Sequence, residues 1–206
     1  MFLTNKVNKE DFFINGIPCD TAIISPVQMK QNGIRAEINN MYAINAKYRK
    51  NDVIKQNVLK WFSYKYGKML IRTLLMLPFN DFTGFYVNHL PCSYNRNTFE
   101  HMWELYPKIL DTTCRHKFRN TTDVNQWLAE YLQFVEGDFS PRSPSIGRVY
   151  EGKKDYQIIC QDIKKQKYKM ICFNDSVQIE DPQKLADELK TTFEHILPRK
   201  SEFEIC

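Results

Sequence analysis

Apolar residues recur along much of this chain at spacings of three and four, the period of a helix with one buried face. Ile34, Ile38, Met41, Ile44 and Tyr48 make the first such stripe, over residues 34–48. Asn51 or Asp52 can cap a following helix that runs to residue 66, and Gly67 then offers a stop or bend. Residues 68–77, KMLIRTLLML, are apolar on nearly every side, which predicts a buried helix ended by Pro78. The pattern changes at residues 82–91, FTGFYVNHLP. Aromatic and β-branched residues around one glycine predict a strand or extended segment that enters a loop at Asn88-His89. Upstream, MFLTNKV opens like a short strand, and NGIPCD at residues 15–20 predicts a turn.

The second half repeats the helical period. Asn97 or Thr98 caps a helix carrying Phe99, Met102, Trp103 and Tyr106. Thr121-Thr122-Asp123 opens another, with Val124, Leu128, Tyr131, Leu132 and Val135 as its apolar stripe and Gly137 as its end. SPRSPSIG at residues 140–147 predicts a loop, and KMICFND at 169–175 a buried strand running into a polar turn. The last helix spans about residues 182–197, with Pro182 in its first turn and Pro198 beyond its end. Strands alternating with amphipathic helices give a helix-dominated α/β domain with one short sheet.

Composition narrows the function classes. The chain has 206 residues, enough for one domain, and is 43% hydrophobic and 26% charged, so it can bury a real core. Lys plus Arg is 29 and Asp plus Glu is 24, a net charge of +5 that favours anionic ligands such as phosphates but falls short of a nucleic-acid binder's footprint. Seven glycines and no GxGxxG or GxxxxGK[ST] pattern remove the warrant for dinucleotide or P-loop binding. The six cysteines (Cys19, Cys92, Cys114, Cys160, Cys172, Cys206) are widely spaced without a CxxC pair, and most of them read as small buried residues in a reducing compartment. The N-terminus lacks a signal-peptide pattern, and the apolar run at 69–79 falls short of the roughly 20 residues that span a bilayer. The expectation is a soluble cytoplasmic protein, with membrane association only through a partner.

Three polar clusters can carry chemistry. His89, at the end of the aromatic segment, can act as acid, base or phosphate donor, or its ring can simply tie down the turn before Pro91. In His116-Lys117-Phe118-Arg119-Asn120-Thr121-Thr122-Asp123, cationic groups precede an expected helix N-terminus, which favours anions. Arg119 there can grip a phosphate with two parallel hydrogen bonds, or pair with Asp123 or Glu100. Asn174 and Asp175, after the apolar strand, can bind a sugar hydroxyl or a metal, or form an ordinary turn. Lys164-Lys165-Gln166-Lys167 reads as a solvated face, and no HExxH or GxSxG motif supports a zinc hydrolase or a serine hydrolase.

Taken in order, NHLP, MWELYP at 102–107, HKFRNTTDVNQWLAEY at 116–131 and KMICFND resemble the Stealth family of sugar-phosphate transferases. These include bacterial capsular polysaccharide phosphotransferases and the animal N-acetylglucosamine-1-phosphotransferase that acts on lysosomal enzymes. Within residues 82–136, the stretch 89–131 is similar to the family's third motif region. Within 168–206, residues 171–176 are similar to its fourth, and residues 1–20 to the segment after its second. The V-D-G strand motif and the acidic N-D-D run of the family's earlier regions have no counterpart here. The resemblance therefore implies a single domain, the C-terminal part of a Stealth enzyme, whose first strand lacks its usual sheet neighbours. It also implies a Rossmann-like fold of the glycosyltransferase-A type.

The activity implied by the resemblance moves a sugar with its phosphate from a UDP-sugar to a glycan acceptor, expelling UMP rather than UDP, with Mg²⁺ or Mn²⁺ as cofactor. Matched motif by motif, His89 becomes the base or acceptor-positioning group and Arg119 the stabiliser of the phosphoryl oxygens. His116, Asn174 and Asp175 become substrate-binding residues, while no metal ligand is identified. Capsular or cell-surface polysaccharide is the expected product, with association to a membrane capsule-synthesis assembly as an expected setting. A non-catalytic carbohydrate-binding module and a plain UDP-releasing glycosyltransferase are the competing expectations.

Overall fold

The computed structural model describes residues 2–3, 15–16, 32–86, 89–151, 156–174, 181–199 and 202. In chain order its first elements are β1 (Phe2–Leu3), β2 (Asn15–Gly16), α1 (Asn32–Asn45), α2 (Lys50–Gln56), α3 (Val58–Trp61) and α4 (Met69–Met76). Next come α5 (Arg96–Leu105), α6 (Pro107–Arg115), α7 (Trp127–Glu136), β3 (Ser140–Pro141) and β4 (Gly147–Glu151). The last are α8 (Tyr156–Lys164), β5 (Met170–Asn174) and α9 (Pro182–Ile196). The chain divides into two compact units. A helical unit comprises Glu10–Val87 and Pro91–Pro144, and a sheet unit comprises Met1–Lys9, Asn88–Leu90 and Ser145–Cys206. The helix-dominated α/β character with a short sheet agrees with the sequence pattern.

In the helical unit, α7 is the central element. Every residue from Leu128 to Val135 is buried, including Glu130 and Gln133, so no polar face is left for solvent. Helices α1, α2 and α5 pack around it. Leu128 and Leu132 are fully enclosed, a contribution of roughly 1.5–3 kcal/mol for each side chain. Aromatic rings fill the remaining space. Phe85 meets Tyr131 edge-on at 4.8 Å, and Trp61 stacks on Phe82 at 5.5 Å. Residues 82–86 form no strand; they run as an irregular segment whose Phe82 and Phe85 point into this core, and Val87 and Asn88 lie outside the described residues.

The helix expected from residue 52 to 66 is three pieces: α2, α3 and a 3₁₀ turn at Tyr64–Tyr66. It breaks at Asn57 (φ −133°, ψ 38°), whose side chain packs directly on Gly137. A Cβ at Gly137 would lie 2.4 Å from Asn57 Oδ1, and Gly137 itself takes the left-handed φ of 74° that ends α7. A tertiary contact thus overrides a local helical period. Helix α4 forms where KMLIRTLLML predicts it, but not as a buried helix: Thr73 is buried, while Ile71, Leu74 and Leu75 are exposed.

In the sheet unit the strand order is β1-β5-β4, with β4 and β5 parallel and β1 antiparallel to β5. Phe2 and Leu3 pair with Ile171 and Met170, so the opening strand does find a neighbour. Helices α8 and α9 pack together, and Tyr150, Ile159, Ile163 and Ile171 form the core beneath them. Helix α9 follows its sequence signals closely. Asp181 caps it, accepting from the Lys184 N–H at 3.0 Å, and Pro182 occupies its first turn. The described cysteines are free; Cys160 is buried as expected, but Cys114 is exposed.

Candidate functional site

The loop between α6 and α7 holds the densest polar constellation of the helical unit. Helix α6 stops at His116, whose backbone turns extended (φ −76°, ψ 124°). Its ring Nδ1 lies 2.6 Å from Asp123 Oδ1, and Asp123 Oδ2 accepts the Asn120 N–H at 2.7 Å. A carboxylate acceptor sets the proton on Nδ1, so in the neutral ring Nε2 carries the lone pair. Asn39 on α1 straps the loop from outside, its amide donating to the Thr121 and Asp123 carbonyls at 2.9 and 2.8 Å. The neighbouring Asn40 is fully buried and donates to Asn125 Oδ1 at 2.6 Å, while Asn125 returns its N–H at 3.2 Å.

This bonding explains where α7 starts. Residues 121–126 do not open the helix, because the Asn125 side chain takes the Trp127 N–H at 3.1 Å and its carbonyl takes the Leu128 N–H at 3.0 Å. The first donors of α7 are already satisfied, and the anion cradle expected at residues 121–123 is absent from the described loop. Burial raises the Asp123 carboxyl, but the Asn120 N–H and His116 outweigh it and hold it below the usual aspartate range.

Arg119 occupies the exposed middle of the loop. Neither partner considered from sequence takes it: Asp123 is engaged by His116, and Glu100 by Arg96 at 2.8 Å. Arg119 makes no ion pair with a described residue, so its guanidinium faces solvent with its donors available.

The remaining sequence candidates belong to the sheet unit. His89 is exposed, and its neighbour Leu90 is buried against β4. The fit is so close that a Cβ on Gly147 would lie 2.6 Å from Leu90 Cδ1 and 2.8 Å from the Met170 carbonyl oxygen. Asn174 ends β5, half-buried and opposite Glu151 in the ladder, while Asp175 lies outside the described residues. The structure therefore brings His116 together with Asp123 and keeps Arg119 on the same loop, with His89 and Asn174 in the other compact unit.

A buried ionic cluster beside residues 91–94 had no sequence signal beyond isolated charges. Glu130 on α7 accepts from the Cys92 thiol at 3.2 Å. Buried Arg142 donates to the Pro91 carbonyl at 3.0 Å, while its Nε has no partner. Burial pushes the Glu130 carboxyl up, against the pull of Cys92 and Arg142. The Cys92 thiol is pushed up to about 12 by burial and by Glu130. The cluster fastens the chain immediately after the His89-Leu90 step.

Among the described residues, no group of three or more His, Cys, Asp or Glu is arranged to hold a metal ion. A groove of about 590 Å³ between α8 and α9, lined by Cys160, Lys164, Asp181, Lys184, Asp187 and Thr192, contains none of the predicted site residues. No helix among the described residues is long and apolar enough to cross a membrane.

Comparison with known proteins places the 116–126 loop in a recognised region. Residues 88–132 match Stealth protein CR3, conserved region 3, and residues 161–205 match Stealth protein CR4, conserved region 4. The chain is 37% identical over 204 residues to the capsular polysaccharide phosphotransferase WcwK of Streptococcus pneumoniae, covering 98% of this chain and 61% of the relative. It is 34% identical over 206 residues to the exopolysaccharide phosphotransferase cps2G of Lactiplantibacillus plantarum, covering 99% and 61%. The receptor polysaccharide phosphotransferase WefC of Streptococcus gordonii is 29% identical over 208 residues, covering 100% and 62%. The chain thus spans about three fifths of the length of these curated relatives.

Proposed function

Because this chain carries conserved regions 3 and 4 of the Stealth proteins, we propose that it works in capsular or exopolysaccharide synthesis, within an enzyme that transfers a sugar 1-phosphate from a UDP-sugar to a glycan hydroxyl. The observation that carries this reading is Arg119. Inside conserved region 3 its guanidinium has no ion pair among the described residues, because His116 engages the nearby carboxylate. A free, planar cation suits the charge that builds on phosphoryl oxygens during transfer.

In the proposed reaction the acceptor oxygen attacks the sugar-linked phosphorus. The bond from that phosphorus to the bridging oxygen breaks, and UMP departs with the bridging oxygen and its electron pair. His89 accepts the proton of the acceptor hydroxyl. Arg119 meets the phosphoryl oxygens, and His116, oriented through Nδ1 by Asp123, presents Nε2 to the substrate. Asn174 and Asp175 line the sugar side. The parallel β4–β5 pair with flanking helices supports a scaffold of the glycosyltransferase-A type. Mg²⁺ or Mn²⁺ supplies further charge neutralisation when bound, and cytoplasmic action next to a membrane assembly completes the proposal.

The test is the identity of the nucleotide released from a UDP-sugar, with Mg²⁺ or Mn²⁺ present. It is run on the chain alone and fused to the part of WcwK outside the alignment. UMP release, lost in Arg119→Ala with the fold intact, is the expected result. UDP release would instead make the protein a plain glycosyltransferase. Glycan binding with no nucleotide released in either form would make it a carbohydrate-binding module.

A further inference from the structure

From Val53 to Asn80 the chain carries five cations (Lys55, Lys60, Lys65, Lys68 and Arg72) and no Asp or Glu. The same stretch exposes large apolar side chains: Leu59 is 90% accessible, Leu75 69%, Ile71 58% and Phe79 57%. Helix α4 organises part of this surface. Ile71, Leu74 and Leu75 lie three and four residues apart and share one face, and Lys68 and Arg72 fall at the same spacing along its rim. The opposite face is satisfied, since Met69 and Leu70 pack against Tyr66 and Thr73 is buried. The helix is also pinned. Buried Lys50 donates through Nζ to the Met76 carbonyl at 2.6 Å, and its N–H bonds the Asn80 carbonyl at 2.9 Å. The apolar face is therefore held outward by a seated helix.

We propose that this face docks on an anionic lipid surface, with Ile71, Leu74 and Leu75 entering the headgroup boundary and Lys65, Lys68 and Arg72 meeting lipid phosphates. Two observations choose lipid over protein. Lysine is depleted from protein–protein interfaces, whereas an apolar face rimmed by cations without anions is the pattern of an interfacial helix. A second copy docked face to face would bring the same cations against each other with no carboxylate from the stretch to offset them. None of these residues is among those assigned to phosphoryl transfer.

The experiment is cosedimentation of the 206-residue chain with vesicles of phosphatidylglycerol mixed into phosphatidylcholine, and with pure phosphatidylcholine. The chain pellets with the anionic vesicles, less so at high salt, and only weakly with neutral ones. Leu74→Asp/Leu75→Asp and Lys68→Glu/Arg72→Glu each reduce binding about tenfold or more while circular dichroism shows an unchanged fold, as expected at exposed positions. The proposal is overturned if anionic vesicles leave the chain in the supernatant, or if both variants bind like the parent. It is also overturned if the chain self-associates through this face, shown by a concentration-dependent dimer that the leucine variant abolishes and vesicles do not displace.

Discussion

The two compact units hold their candidate site residues by different means. In the helical unit, the loop bearing His116 and Arg119 is tied by side-chain amides: Asn39 bonds its carbonyls, and Asn40 and Asn125 bond each other reciprocally. Behind it lie a large aromatic core and a buried ionic cluster of Glu130, Cys92 and Arg142. In the sheet unit, a close steric fit lies next to His89, with Leu90 seated on the bare Cα of Gly147, over a core of few large residues. Polar straps give precise geometry but leave costly orphans when cut, whereas a packed backbone contact tolerates polar change and resists added volume.

The sharpest way to test that contrast is to remove one arginine from each unit. Arg142→Met strands the Pro91 carbonyl in a buried setting and should cost about 1–3 kcal/mol. Arg148→Met, which removes an exposed guanidinium bonded to the Tyr168 hydroxyl, should cost about 1 kcal/mol or less. Denaturant titration checks both. All three tryptophans (Trp61, Trp103, Trp127) lie in the helical unit, so their fluorescence reports that unit, and circular dichroism reports the whole. Equal costs would erase the distinction.

Adding volume should single out the sheet unit next. In Gly147→Ala the new methyl meets both Leu90, which can swing away, and the Met170 carbonyl oxygen, which cannot, for a loss of about 1–3 kcal/mol. Asn40→Ala, in the helical unit, leaves the Asn125 N–H unpaired and its Oδ1 with the Trp127 N–H alone, and should cost about 1–2 kcal/mol, read by the same fluorescence transition.

Acid should weaken both units in one direction. Asp123 and Asp162 are each raised by burial, yet both sit below the ordinary aspartate value. Asn120 and His116 bring down the first, and Tyr150 and Lys167 the second. Their folded forms bind fewer protons than the unfolded chain, so their contribution is present above roughly pH 4 and is lost as pH falls through the depressed folded values. Thermal melts from pH 6 downward should show this acid limb, shallower in Asp123→Asn for the helical unit and in Asp162→Asn for the sheet unit. An unchanged slope in either variant would remove that carboxylate from the account.

Signals confined to a few neighbouring residues were legible in the sequence. Gly137 ends α7, and Pro182 sits in the first turn of α9, because caps and breakers act locally. Features created by distant partners were not. The break at Asn57 exists because Gly137 lies against it, and the strand at Gly147–Glu151 begins inside a stretch whose prolines and serines suggest only a loop. KMLIRTLLML announced a helix, but composition could not say which side the fold would cover. The site followed the same rule. His116, Arg119 and Asp123 stood out together, yet the carboxylate's partner was decided by the turn at Asn120, which brings the imidazole rather than the guanidinium to it. Glu130 gave no warning, because a single glutamate in a helical pattern looks solvent-exposed until the whole of α7 is buried.

The smallest structural perturbation carries the largest functional consequence. Arg119→Ala removes an exposed side chain without an ion pair among the described residues and should leave the melting transition within about 0.5 kcal/mol of the parent. Calorimetric titration of a UDP-sugar, which carries the phosphoryl group assigned to Arg119, into the parent chain and this variant therefore tests the central assignment most directly. The account predicts binding in the parent that weakens at least about tenfold on losing a charged, two-pronged phosphate contact. Equal affinity in the two proteins, or no UDP-sugar binding by the parent, would contradict it.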